Sequence, residues 1–301
     1  MAEFLGVVEL GTLHKEGEEL PLPIRPWVSD SSPGKLSNRG QGNVPQFTSL
    51  KDMSKWIIGD TSSKAENKLK WIKIKDGNKI LFICDRVILN RITWDNLNNE
   101  GYVIGKEITI DEVKYNCRLL TGGSVRRSGS DGYSGGILPN EYDRFIENAD
   151  NISGLTKPNS SDLDKTLDYN DLDGEHNQLW HWWGNFSLCQ EVYNTSWRVC
   201  RGNNSAIYFD VFGSSFSGDY VGWRPVLEII KYQKYLIKQN NQYFSINPEF
   251  YDNETGQYKP VDKNFQDNGF DNIEDLTKEV NGFKPISKFK GKIEILKQDE
   301  K

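Results

Sequence analysis

Five of the nine tryptophans of this 301-residue chain fall between Trp180 and Trp223, in a stretch rich in Asn, Ser and Gly. It reads Leu179-Trp-His-Trp-Trp-Gly-Asn-Phe-Ser-Leu-Cys-Gln-Glu191, then Trp197-Arg-Val-Cys-Arg-Gly-Asn-Asn-Ser205, and closes on Gly222-Trp-Arg-Pro-Val-Leu-Glu228. Apolar runs this short, punctuated by turn formers, predict short strands rather than long helices. Tryptophan brings apolar area, a flat face and one N–H donor, so the cluster anchors either a core or a ligand surface. Its members divide. Trp182, Trp183 and Trp223 sit in strand-like apolar runs and read as core. Tyr193, Trp197, Tyr208, Phe209 and Phe212 alternate with Asn194, Asn203, Asn204 and Ser205, and read as candidate ligand-binding residues. An aromatic beside amides suits a sugar's apolar face and hydroxyls, or the loop of a protein receptor. Ordinary half-buried strand residues are the plain alternative. No nucleophile–base pair or metal spacing stands out nearby, so the pattern points to recognition.

The whole-chain balance narrows the partners. Acids outnumber bases 43 to 37, a net charge of −6, which argues against a broad nucleic-acid footprint. The N-terminus lacks a basic n-region and a long apolar run, so no secretory signal is expected and the chain is expected to be made in the cytosol. No stretch approaches the roughly 18 apolar residues of a membrane span, so no membrane insertion is expected. The four cysteines, Cys84, Cys117, Cys189 and Cys200, are too scattered for a disulfide scaffold. Buried thiols are expected, with a Cys189–Cys200 bridge as the alternative. His176 and His181 miss the spacing of a zinc-enzyme helix.

Along the chain, Pro21, Pro23, Pro26, Pro33 and Pro45, with Gly34, Gly40 and Gly42, predict an irregular N-terminal arm over 1–65, with one short helix over 50–58. From Lys68 strand alternation takes over. Asp76-Gly77 turns one hairpin, and a second spans Lys106 to Leu120 around Asp111-Glu112. Thr93 is placed to cap a short helix, and Asn140 another near Ile146. Residues 121–136 read as a long exposed loop and 148–177 as a polar insertion loop. Beyond residue 231 a small C-terminal module begins, with a hairpin from Lys234 to Ile246 that turns on Asn-Asn.

Two further clusters carry oxygen chemistry. Asp162, Asp164, Asp168, Asp171, Asp173 and Glu175 are hard ligands of the type calcium takes. The EF-hand template nevertheless fails, because Tyr169 and Trp180 stand where acids are required. Glu141, Asp143, Glu191 and Glu228 are available as a glycosidase pair, but the sequence carries no geometry, and structural hydrogen bonding is the expected use of Glu191 and Glu228. No cofactor is expected, with calcium in the acidic loop as the one exception.

Several segments together suggest a family. Ile92-Thr-Trp-Asp-Asn-Leu-Asn-Asn-Glu-Gly-Tyr-Val-Ile-Gly-Lys-Glu-Ile-Thr-Ile110, Cys117-Arg-Leu-Leu-Thr-Gly-Gly123, Asn140-Glu-Tyr-Asp-Arg-Phe-Ile146, Ser187-Leu-Cys-Gln-Glu191, Arg198-Val-Cys-Arg-Gly202 and Gly222-Trp-Arg-Pro-Val-Leu-Glu228 resemble prophage tail or appendage proteins of clostridia-like bacteria. The last two are similar to the closing part of C-type-lectin-like folds, a scaffold shared by variable receptor-binding proteins of phages and by formylglycine-generating enzymes. The resemblance covers roughly residues 70–230. It implies that Arg201, Gly222, Trp223 and Arg224 hold the scaffold while residues 193–220 display the ligand surface. Cys189 and Cys200 do not match the reactive pair of the enzymes, so no activity is carried over.

The expectation is an α+β chain. A C-type-lectin-like binding domain of short antiparallel strands over 66–230 lies between the N-terminal arm and the C-terminal module over 231–301. Its expected role is non-enzymatic: a tail appendage, assembled with other virion subunits and as a homo-oligomer, that binds a bacterial surface glycan or protein receptor. The rivals are a purely structural virion subunit and an enzyme on the formylglycine-generating scaffold.

Overall fold

The alternation read from Lys68 onward becomes part of one large antiparallel sheet. The computed structural model describes residues 2–23, 44–47, 51–77, 79–164, 174–229, 235–246, 250–263, 276–277 and 284–297. Its first strands are β1 (Ala2–Lys15), β2 (Glu18–Glu19), β3 (Trp56–Gly59), β4 (Lys68–Asp76), β5 (Lys79–Cys84), β6 (Leu89–Asn90), β7 (Lys106–Ile110) and β8 (Val113–Arg118). After a long interval come β9 (Phe186–Val192), β10 (Trp197–Gly202), β11 (Phe209–Gly213), β12 (Val221–Trp223) and β13 (Val226–Ile229). The protein is mostly β, with curled antiparallel sheets. Among the described residues, helix is confined to short pieces such as α1 (Trp94–Asn99) and α2 (Glu175–Trp180).

Contacts divide the chain into Met1–Ile230 and Lys231–Lys301. In the first unit, one sheet runs β2-β1-β4-β5-β13-β8-β7, with β3 also paired to β1. A second runs β11-β10-β9-β12-β6, and its β9–β12 pair is parallel. Pleating sends successive side chains to opposite faces, and both faces of β5 are covered. Phe82 and Cys84 join a core with Trp56, Trp71, Trp94 and Trp223, while Leu81 and Ile83 join another with Phe145, Trp180 and Trp182. The second unit contains β14 (Tyr235–Gln239), β15 (Gln242–Phe244), β16 (Tyr251–Asp252), β17 (Gln257–Tyr258), β18 (Pro260–Val261) and β19 (Glu294–Lys297). Its main sheet runs β18-β15-β14-β19, around Ile237, Phe244 and Tyr258.

Local chemistry accounts for the turns. Asp111 and Glu112 take φ of 49° and 66°, and Asn240 and Asn241 take 51° and 59°; positive φ at both central residues lets a two-residue hairpin follow strand twist. The first hairpin turns one residue later than the Asp-Gly pair: Asp76 pairs with Lys79. Thr93 caps α1 in a capping box with Asn96. Asn140 Oδ1 accepts the Asp143 N–H at 2.9 Å and starts the wide π-helical turn Tyr142–Ile146.

Three expectations require correction. The N-terminal arm is not irregular at its start, because β1 alternates through Phe4, Val8 and Leu10, which pack on the two cores. Its proline-rich part, 24–43, lies outside the described residues. The helix expected over 50–58 is instead a single 3-10 turn, Met53–Lys55, followed by β3. Trp56 and Ile58 are buried while Ile57 is exposed, a period of two that overrides helix formation. The insertion loop ends early, since α2 starts at Glu175. Among the described residues, no helix is long and apolar enough to cross a membrane.

Gly222 shows how tightly β12 is wedged between β9 and β6. A Cβ there would strike Leu89 O and lie 2.5 Å from Val87 Cγ1. Gly222→Ala is expected to destabilise the first unit by roughly 1–3 kcal/mol, read as a lower urea midpoint at unchanged slope.

Candidate functional site

An aromatic shelf stands on the outer edge of the second sheet. Asn194 makes the β9–β10 turn, its Oδ1 accepting the Ser196 N–H at 3.0 Å and the Trp197 N–H at 3.1 Å. That turn delivers Trp197 to the first position of β10, opposite Gly213 of the edge strand β11. With glycine as its cross-strand neighbour, the indole stays 45% exposed. The chain then folds back: Phe216 N–H donates to Gly213 O at 2.9 Å. This sets the Phe216 ring parallel to Phe212, with centroids 4.7 Å apart and 12° between planes. Phe186 and Tyr220 support the pair from beneath, at 5.2 Å and 6.0 Å from Phe212. Trp197, Val211, Phe212, Phe216, Ser215 and Ser217 line an open groove of about 650 Å³.

The candidate ligand residues do not all reach this surface. Tyr193, Asn194 and Trp197 are exposed, and Asn204, Tyr208 and Phe212 are half-buried. Tyr208 packs on Tyr133, with centroids 4.6 Å apart. Asn203 and Phe209 are buried, so their assignment to the ligand surface is corrected. Asn203 adopts φ of 74° and donates its N–H to Trp182 O at 2.8 Å; it shapes a turn. Phe209 faces inward with Cys189 and Val199, because alternation along β11 turns its side chain to the covered face. Phe216 and Tyr220, two members of the shelf, were missed. The signal for them was faint: aromatics scattered through a Gly-Ser turn with no strand period.

Arg201, Gly222, Trp223 and Arg224 are all buried. Arg201 and Asp143, both fully buried, form a two-pronged ion pair. The same guanidinium donates to Gly122 O at 2.7 Å, Ile207 O at 3.1 Å and Tyr208 O at 3.3 Å. Asp143 also accepts from Asn140 Nδ2 at 2.6 Å and Gly136 N–H at 3.1 Å. Burial works against ionisation of Asp143, yet Arg201 prevails and holds the carboxyl below its ordinary range. Residues 121–136 are therefore not a freely exposed loop; their two ends are fastened to this pair.

The other carboxylates also serve as fasteners. Glu191 accepts the N–H groups of Gly122, at 2.8 Å, and Gly123, at 3.1 Å; burial raises its pKa against those bonds. Glu141 takes Arg118 in two bonds of 2.6 and 2.7 Å, and Glu228 pairs with Lys79 at 2.9 Å. Cys189 and Cys200 are free thiols on opposite faces of the sheet. Cys200 lies across from Leu188 in the core that holds Trp223, and Cys189 sits with Val199 and Phe209 in a separate small cluster on the opposite face. The pleat thus rules out the alternative disulfide. Among the described residues, no group of three or more His, Cys, Asp or Glu could hold a metal. Asp168, Asp171 and Asp173 of the acidic loop lie outside the described residues.

The chain matches no family model, no curated protein and no solved structure.

Asp143→Ala strands the Arg201 charge in the core and is expected to cost about 3–5 kcal/mol in chemical denaturation. Beside the pair, burial and the Asp143 charge push Glu147 up to about 7, against the pull of Arg127. The folded state then holds a proton that the unfolded chain releases. This contribution is present below the ordinary value of 4.5 and fades as pH rises through about 7. Stability is expected to fall across that window, and Glu147→Gln to flatten the decline.

Proposed function

We propose that this chain is a recognition protein whose ligand surface is the shelf of Trp197, Phe212 and Phe216. The observation that carries this reading is an exposed indole beside a stacked phenylalanine pair, with serine hydroxyls around one open groove. Flat apolar faces suit the C–H face of a sugar ring, and hydroxyls and amides match its polar edge. The proposed ligand is a glycan of a bacterial surface, and the proposed setting is the tail or tail-like particle of a phage or prophage. In that setting, homo-oligomeric display multiplies weak single sites. A C-type-lectin-like scaffold belongs to the same proposal. It is supported by the strand that carries Gly222 and Trp223 lying beside β9, itself paired with the Arg201-Gly202 end of β10.

A second reading has its own support. Val192, Tyr193 and Trp197, all exposed, are close together in the chain, as they would be if the face packed against another virion subunit. Binding of purified protein, displayed multivalently on a glycan array and on whole cells, separates the two. The glycan reading expects binding that Trp197→Ala lowers at least tenfold while circular dichroism stays unchanged. Absence of binding by the wild-type protein in both formats would reject it in favour of the subunit reading.

A further inference from the structure

The second unit has a cavity of its own. It lies where the β14–β15 hairpin, the β16–β17 hairpin and the chain after the 3-10 turn Pro285–Lys288 meet, and its volume is about 590 Å³. That is within the span of sites that hold small ligands. Aromatic packing fixes its floor. Phe289 stacks on Tyr258, with centroids 5.4 Å apart and 4° between planes, and meets Phe244 edge-on at 5.5 Å. The Tyr258 hydroxyl donates to Ile246 O at 3.1 Å. Gln239 Nε2 donates to Lys290 O at 2.7 Å, which ties the end of β14 to the lysine-bearing segment.

The walls are polar. Gln242, Thr255 and Gln257 stand exposed on the two hairpins, and their amides and hydroxyl both donate and accept hydrogen bonds. Lys288 and Lys290 flank the anchored Phe289 ring and complete the lining. They belong to Lys284-Pro-Ile-Ser-Lys-Phe-Lys-Gly-Lys292, a segment with four lysines and no carboxylate. Lys288 Nζ is held over the Tyr251 ring, 5.3 Å from its centroid, and Lys290 is exposed. Among the described residues, no carboxylate lines the cavity. Asp252, in the adjoining hairpin, is occupied by its own turn: its Oδ1 accepts the Glu254 and Thr255 N–H groups at 2.9 and 3.2 Å.

We propose that this cavity binds an acidic sugar, a pyranose ring that carries a carboxylate or a phosphate. Amides and a hydroxyl match the ring hydroxyls, and two ammonium groups without a competing carboxylate match the acid. Phe244 and Tyr258 are buried and Phe289 half-buried, so the aromatics form a floor and not the open stacking platform that nucleic-acid bases require. The site stands on the second unit alone and does not depend on the shelf reading.

Titration of the full chain with glucose, glucuronate and glucose 6-phosphate, followed by backbone amide NMR shifts, tests the site. The ring stays constant and the charge changes. Saturable shifts at Gln242, Thr255 and Gln257 are expected with glucuronate or glucose 6-phosphate, and none with glucose at the same concentration. The acid that binds more tightly identifies the group the cavity takes. Lys290→Gln is expected to weaken binding by roughly threefold or more, and less so at high salt. Gln257→Ala is expected to weaken it as well, with the spectrum away from the cavity unchanged. No saturable shift with either acid would overturn the proposal, as would equal binding of glucose or unchanged affinity in both variants. Thymidine 5′-phosphate shifting the same amides as strongly marks a general anion surface and overturns it equally.

Discussion

The buried pair of Arg201 and Asp143 is the constraint on which the rest of the first unit depends. Every nitrogen of that guanidinium has a partner, and the partners come from segments far apart in sequence: Gly122, Asp143, Ile207 and Tyr208. Its flat face also lies over Tyr142 and Phe209, at 4.4 and 5.7 Å. A pair of this kind adds little net stability over a well-packed apolar substitute, because desolvation consumes the Coulomb gain. Its effect is on uniqueness. Only one arrangement of residues 121–136, the turn at 142–146 and the segment before β11 satisfies all these donors and acceptors together. That arrangement seats β11, and the edge of β11 carries the shelf.

The contrast with Arg224 is instructive. Arginine is used at both positions for its fork of donors, but Arg201 receives a carboxylate and Arg224 only backbone carbonyls. The first organises loops, whereas the second closes α2 and leaves donors unmatched. Two residues that look alike in sequence thus differ in the groups that surround them.

What could be read from sequence was what short-range physics decides. The hairpins at Asp111-Glu112 and Asn240-Asn241, the Thr93 cap, and the burial of Trp182, Trp183 and Trp223 follow from turn chemistry and alternation within a few residues. The failures arose where distant partners decide. β1 keeps strand period at Phe4, Val8 and Leu10, but it is followed by a run of prolines, and its pairing depends on β4, more than fifty residues away in the chain. The stretch from Gly122 to Gly136 looks like a plain Gly-Ser loop until Glu191, Arg201 and Asp143 are brought to it. Phe209 and Phe212, three residues apart, gave no local sign that one turns to the core and the other to the groove. Phe216 became part of a site only once the chain had folded back on Gly213.

The placement of the shelf has a consequence for how such a molecule varies through descent. Trp197 at the start of β10, and Ser215 and Ser217 in the turn after the edge strand β11, are exposed, while the ion pair and the tryptophan core are buried. Exchanging the exposed residues touches neither Asp143 nor Trp223. A substitution at one of these exposed positions can therefore remodel the surface and leave the interior unchanged.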